Sequence, residues 1–180
     1  MLAYVLILAA VLTRVLPHAG WWNFTAVTGG LLYFGARRPW REMLVPLAAL
    51  MATDFYLTVF AYRYSFHWQN YVTTWAWYLM AMALGWILLR AKTTFMRGAA
   101  AAILGPTSFF VVSNFAVWAF DSFHSYPKTL AGLGACYLAG VPFYRNDLIA
   151  TSLVLAGAFG TEALLTRVRE PDAGVVLAGK

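Results

Sequence analysis

Residues 43–62 read MLVPLAALMATDFYLTVFAY, an apolar stretch of 20 residues that contains one charged side chain, Asp54. A helix needs about 20 apolar residues to cross the hydrocarbon core of a bilayer, so this stretch predicts a transmembrane helix. An ionisable side chain inside such a helix is costly and is a functional-site hypothesis by default. The stretch therefore indicates a membrane protein in which Asp54 is a candidate site residue.

Apolar segments of the same kind fill most of the chain on both sides of this stretch. The chain is 62% hydrophobic and 11% charged, whereas a soluble domain carries about 25% charged residues. We predict an all-α membrane protein, a six-helix bundle in a single domain over residues 1–170, followed by a loose cytoplasmic tail at 171–180. The predicted spans are 2–16, 23–35, 43–62, 71–89, 99–120 and 146–165. The first two are short, so we expect them to be tilted, partly buried or flanked by a thinner bilayer.

Residues 128–143, KTLAGLGACYLAGVPF, form another apolar segment before the last span. It has 16 residues and ends in Val-Pro, so we interpret it as a helical re-entrant or lid segment. A seventh span is the alternative, and it would place the C-terminus on the other side of the membrane.

The basic residues are unevenly divided between the two ends of the predicted spans. Nine lie on one side, namely Arg37, Arg38, Arg41, Arg90, Lys92, Arg97, Arg167, Arg169 and Lys180, and four lie on the other, namely Arg14, Arg63, Lys128 and Arg145. Cytoplasmic loops carry the excess of Lys and Arg. We therefore expect a multi-pass protein of a bacterial inner membrane with both termini in the cytoplasm. The net charge of +6 is explained by this arrangement and does not indicate a nucleic-acid partner.

The sequence contains no motif for covalent chemistry. HExxH, GxSxG, Walker and CxxC patterns are all missing, and the single cysteine, Cys136, excludes an internal disulfide and a multi-cysteine metal site. Asp54 is the one carboxylate that we expect to be embedded in a span. We predict neither enzymatic activity nor a cofactor of the protein's own.

Most of the embedded polar residues fall at the outer end of the predicted spans. This convergence predicts a single solute pocket open to the outside, with aromatic side chains stacked on the solute. The candidate ligand-binding residues are Arg14, His18, Asn23, Asp54, His67, Tyr71, Asn114, Trp118, Tyr126 and Arg145. Two alternatives stay open: Asp54 forms a structural ion pair with Arg14 or Arg145, and Asn114 forms a helix–helix hydrogen bond.

The second half of the chain carries a family resemblance. FFVVSNFAVWAF (109–120) and YPKTLAGLGACYLAGVPFYRNDL (126–148) resemble a family of uncharacterised, S-component-like membrane proteins. S-components are the substrate-binding subunits of energy-coupling-factor vitamin transporters. The resemblance implies uptake of a micronutrient, with the lipid bilayer and a small-molecule vitamin as partners. It also implies a separate ATPase and transmembrane coupling module, or a solitary transporter, because Ala3 and Ala10 lack the usual four-residue spacing of small residues.

The solitary cobalamin-binding S-components are similar in size and in the placing of polar residues. Their His, Asp and Arg positions would fall on His18, Asp54 and Arg145. Their cobalt-ligating cysteine lies in the loop after the third span, where this chain has His67, and imidazole suits first-row transition metals. The resemblance implies a corrinoid such as cobalamin as the bound substrate, with His67 as the cobalt ligand. The alternatives are a different vitamin, or a structural or assembly subunit with no solute.

Overall fold

The computed structural model describes residues 1–16, 22–120 and 125–169. All regular secondary structure in these ranges is helical, and the ranges contain no strand. The six α-helices are α1 (Leu2–Val15), α2 (Val27–Arg37), α3 (Leu44–Tyr56), α4 (Val72–Leu89), α5 (Phe95–Phe120) and α6 (Leu130–Arg169). A 3-10 turn at Trp40–Met43 leads into α3, a π-helical turn at Leu57–Ala61 extends it, and a 3-10 turn at Trp68–Tyr71 leads into α4.

Four helical segments are long and apolar enough to cross a membrane: Trp40–Ala61, Trp68–Leu89, Phe95–Phe120 and Leu130–Val168. Helix α1 is a shorter apolar helix. The predicted all-α character is confirmed for the described residues, and these four segments have the length and composition of membrane spans.

Contacts between distant residues define two ends of the bundle. At one, here called the Arg37 end, the Tyr4 hydroxyl donates to Glu42 and Arg37 contacts Glu162. At the other, the Asp54 end, Arg14 pairs with Asp54. Also at that end, the Asn146 side chain donates to the Trp22 carbonyl at 2.9 Å. Successive helices therefore run in opposite directions, as the six-span prediction requires.

Helix α2 lies at the centre of the bundle. All residues from Val27 to Ala36 are buried, and its 11 residues measure only about 16 Å. A Cβ on Gly35 would lie 1.9 Å from the Met82 carbonyl oxygen, and one on Gly85 would lie 2.0 Å from that of Leu32. These two glycines let the backbones of α2 and α4 touch, a packing mode typical of membrane helices. The second span was expected to be tilted, partly buried or flanked by a thinner bilayer, and the structure shows that α2 is buried.

Helix α6 corrects the predicted boundary before the last span. Residues 130–143, expected to be a separate re-entrant or lid segment, are the N-terminal part of one continuous 40-residue helix that includes Pro142. This segment is supported by α5, because the Tyr137 hydroxyl donates to the Val111 carbonyl at 2.8 Å and Trp118 Nε1 donates to the Pro127 carbonyl at 3.0 Å. A 40-residue helix is about 60 Å long, roughly twice the thickness of the hydrocarbon core. The predicted tail at 171–180 lies outside the described residues.

Candidate functional site

An ion pair joins α1 to α3 near the Asp54 end. Arg14 Nη2 lies 2.6 Å from Asp54 Oδ1, and the Asp54 side chain is 1% exposed. Asp54 Oδ2 accepts hydrogen bonds from Trp75 Nε1 at 3.0 Å and from the Tyr78 hydroxyl at 3.3 Å. Arg14 Nη1 also donates to the Tyr78 hydroxyl at 3.0 Å. Both charges are thus compensated within the bundle, which is the structural ion pair considered from the sequence.

A second carboxylate, Asp147, is buried in α6, where only Asp54 was expected. It is 4% exposed and accepts hydrogen bonds from two hydroxyls, Thr28 at 3.1 Å and Thr151 at 3.2 Å. Among the described residues the salt bridges involve other acids, and none reaches Asp147. The criterion that identified Asp54, an ionisable residue in an apolar span, applies equally to Asp147. Sequence reasoning missed Asp147 because the predicted last span begins beside it, at Asn146.

Two adjoining cavities contain these carboxylates. One has a volume of about 210 Å³ and is lined by Arg14, Asn23, Thr25, Val27, Thr28, Asp54, Tyr71, Thr74, Trp77, Tyr78, Phe109 and Asp147. The other has a volume of about 180 Å³ and is lined by Asn23, Pro106, Phe109, Phe110, Ser113, Asn114, Gly140, Phe143, Tyr144 and Asp147. Asn23, Phe109 and Asp147 border both. The two spaces are therefore neighbouring parts of one site.

Five of the predicted ligand-binding residues border this site. Arg14, Asn23, Asp54 and Tyr71 line the larger cavity and Asn114 lines the smaller one. Asn23 has a φ of 60°, a conformation that Asn tolerates better than most residues. The structure thus brings together residues from α1, the turn before α2, α3, the 3-10 turn before α4, and α5.

Of the helix–helix hydrogen bond considered for Asn114 from the sequence, the structure shows a long one, in which Cys136 Sγ of α6 donates to Asn114 Oδ1 at 3.9 Å. Asn114 Nδ2 donates to the Phe110 carbonyl of its own helix at 2.8 Å. A Cβ on Gly140 would lie 2.5 Å from Asn114 Oδ1. Asn114 therefore lies directly against the backbone of α6 as well as against the smaller cavity.

The structure does not bring Arg145 to Asp54. Arg145 is exposed and lines neither cavity, while Asp54 takes Arg14 as its partner. Arg145 precedes Asp147 by two residues in α6, which rotates its side chain about 200° away from Asp147 around the helix. Because Asp147 faces α2 at Thr28, Arg145 points away from the site.

Trp118 and Tyr126 line neither cavity. Trp118 is held by its hydrogen bond to the Pro127 carbonyl. Tyr126, the residue before Pro127, is half-buried. His18 falls outside the described residues.

His67 is exposed in the loop before α4 and lines neither cavity. Its neighbour Phe66 stacks on Tyr71, with ring centroids 5.1 Å apart, and Tyr71 stacks on Trp75 at 5.9 Å. The Tyr71 hydroxyl is hydrogen-bonded to Thr58. The loop is therefore anchored beside the larger cavity. Within the described ranges no group of three His, Cys, Asp or Glu side chains could hold a metal ion, so a cobalt role for His67 stays a prediction.

The fold and the site together define a small helical membrane protein with a polar, aromatic-lined cavity near one end of its bundle. The chain belongs to a family of unknown function, DUF6580, whose family model matches residues 1–173. No curated protein and no solved structure matches the chain significantly.

Proposed function

We propose that this protein is a substrate-binding membrane component of the S-component type that takes up a small organic micronutrient. The solute binds in the two adjoining cavities at the Asp54 end. The observation that carries this proposal is the presence of Arg14, Asp54 and Asp147 around one space in an otherwise apolar bundle. Ionisable groups are expensive inside a membrane and are kept where they line substrate or ion pathways.

The size of the site favours a small vitamin. The two cavities measure about 180 and 210 Å³, so together they lie near the lower end of the range of about 300–1,000 Å³ for sites of drug-sized ligands. A corrinoid is far larger than either cavity, so its binding requires the helices or the loop at 63–70 to move apart.

A corrinoid remains the second candidate because of the position of that loop. Phe66 stacks on Tyr71, and Tyr71 lines the larger cavity. His67 is the next residue along the chain and has an extended backbone, so its side chain and that of Phe66 point to opposite sides. The loop would have to turn over to present the imidazole to a metal held at the cavity. Imidazole is a suitable ligand for cobalt.

A coupling module is not required by this proposal. Ala3 and Ala10, the small residues of α1, are 3% and 0% exposed, so both pack within the protein itself. Their face is not available for a partner helix. If a separate ATPase module drives uptake, it contacts another surface, and a solitary transporter fits the same site.

The proposal is tested by asking whether a small molecule leaves the membrane with the protein. The full chain, extracted in mild detergent from cells grown in rich medium, is examined for colour and by native mass spectrometry. We expect a bound small molecule in the wild type. We expect its loss in Thr74→Trp, because Thr74 lines the larger cavity and the indole would fill it.

Thr73→Trp is the matched control, since Thr73 lines neither cavity, and it should retain the molecule. A wild-type protein that carries no small molecule, and that no small-molecule extract stabilises against heat, would leave the structural-subunit alternative in place of the transporter.

A further inference from the structure

The charge balance of the site points to the class of solute. Among the described residues that line the two cavities, the charged groups are one guanidinium, Arg14, and two carboxylates, Asp54 and Asp147. The guanidinium is already committed to Asp54, because Nη2 and Oδ1 are 2.6 Å apart. The lining therefore has a formal charge of −1, and Asp147 is the carboxylate that supplies it.

Within the described ranges, the side-chain hydrogen bonds to Asp147 come from two hydroxyls. Thr28 of α2 and Thr151 of α6 each donate one hydrogen bond to it. Hydroxyl donors orient a carboxylate but bring no opposite charge. Burying a carboxylate without a cation costs several kcal/mol, and a positively charged ligand beside it would offset part of that cost.

Aromatic rings form much of the remaining wall. Tyr71, Trp77, Tyr78 and Phe109 line the larger cavity. Trp77 is fixed by donation from its Nε1 to the Ser108 hydroxyl at 3.0 Å. The Trp77 and Phe109 ring centroids are 4.6 Å apart. Aromatic faces attract organic cations and do so most strongly in sites that exclude water.

From these three observations we infer that the solute is a small organic cation, such as a substituted ammonium or a cationic nitrogen heterocycle, and that Asp147 is its counter-ion. This inference rests on the proposed function and adds the charge of the substrate to it. The cation lies between the Asp147 carboxylate and the Trp77–Phe109 wall. Arg14 and Asp54, whose charges cancel, set the shape and polarity of the opposite side.

The experiment divides a small-molecule extract by charge. The small-molecule fraction of yeast extract is separated by ion exchange at neutral pH into cationic, neutral and anionic portions. Each portion is added to the wild-type protein in detergent, and the thermal unfolding temperature is recorded. We expect stabilisation by the cationic portion.

The outcomes separate the inferred charge of the solute from the proposed uptake function. Stabilisation by the neutral or the anionic portion alone would overturn the inference and leave the proposed uptake function standing. Stabilisation by none of the portions would overturn the proposed function, and the inference with it. Because these arms use the wild-type chain, they do not depend on how well any variant folds.

A variant then tests the role of Asp147 itself. In Asp147→Asn the shape is kept and the charge is removed, so we expect about 30-fold more of the cationic portion to be needed for half-maximal stabilisation. Glu162→Gln removes a carboxylate from the same helix at the Arg37 end, and it should respond to the portion as the wild type does. An unchanged response in Asp147→Asn would show that another group binds the cation and would overturn the assignment.

Discussion

Arg14 Nη2 and Asp54 Oδ1 lie 2.6 Å apart, although the two residues are separated by 40 positions in the chain. The pair connects the last turn of α1 to the last turn of α3, and the hydroxyl of Tyr78 in α4 contacts both side chains. Three helices are thereby held in one arrangement around the larger cavity. The ion pair therefore holds α1, α3 and α4 together and also lines the site.

Removal of Arg14 alone should destabilise the protein strongly. In Arg14→Met, Asp54 is left buried without a cation, and breaking a buried pair in this way costs about 3–5 kcal/mol. The double variant Arg14→Met/Asp54→Leu should recover most of that loss, because it removes both charges. The free energies of unfolding of both variants are measured by titrating the purified protein, held in mild detergent, with a denaturing detergent. A double variant no more stable than Arg14→Met would show that the loss does not come from the unpaired Asp54 charge.

The contact between α2 and α4 should not tolerate a methyl group. Gly85→Ala places Cβ 2.0 Å from the Leu32 carbonyl oxygen, and because the obstacle is backbone, we expect a loss of about 3 kcal/mol or more. Gly98→Ala is the matched control in a helix, since a Cβ there meets nothing within 4 Å. Thermal unfolding of the two variants side by side checks the prediction, and equal stability would refute it.

Arg37 should resist replacement by lysine. Its guanidinium contacts both oxygens of Glu162 at 2.9 and 3.0 Å, donates to the Leu89 carbonyl and lies 4.8 Å from the Phe159 ring centroid. Lysine cannot reproduce this forked geometry, so Arg37→Lys should cost about 1.5–3 kcal/mol. Arg41→Lys, at an exposed position, should cost almost nothing in the same unfolding assay.

Reporter fusions should place both termini in the cytoplasm. The structure brings Tyr4 and Glu162 to the same end of the bundle, the Arg37 end, and eight of the nine basic residues predicted on that side precede the tail. Positively charged ends stay in the cytoplasm during insertion. Fusions that report the two ends on opposite sides of the membrane would contradict this topology.

A corrinoid bound by this protein should reveal itself through His67. If added cobalamin binds, His67→Ala should weaken binding and change the visible spectrum of the cobalt, because a nitrogen ligand would be lost. Asn70→Ala, in the same exposed stretch, should leave the spectrum unchanged. Identical spectra for wild type and His67→Ala would remove the metal-ligand role.

The sequence by itself determined the class of this protein and the position of its embedded carboxylate Asp54. The apolar stretches at 43–62, 71–89 and 99–120 are long enough to cross a bilayer. This property is local, so no knowledge of neighbouring segments is needed. The observed segments Trp40–Ala61, Trp68–Leu89 and Phe95–Phe120 agree with these predictions within a few residues. The ionisable residue Asp54 was recognised for the same reason.

Only the tertiary structure decided which groups meet. Arg14 rather than Arg145 pairs with Asp54, because two residues of helix turn Arg145 away from the face of α6 that carries Asp147. The close packing of α2 on α4 depends on Gly35 and Gly85, which allow backbone contact. The first part of α6 continues the last helix and is hydrogen-bonded to α5. Hydropathy reports how much of a helix is apolar, whereas partners are set by the rotation of each helix against its neighbours. That rotation is a property of packing between distant segments, and it is what places Asp147 beside the cavity.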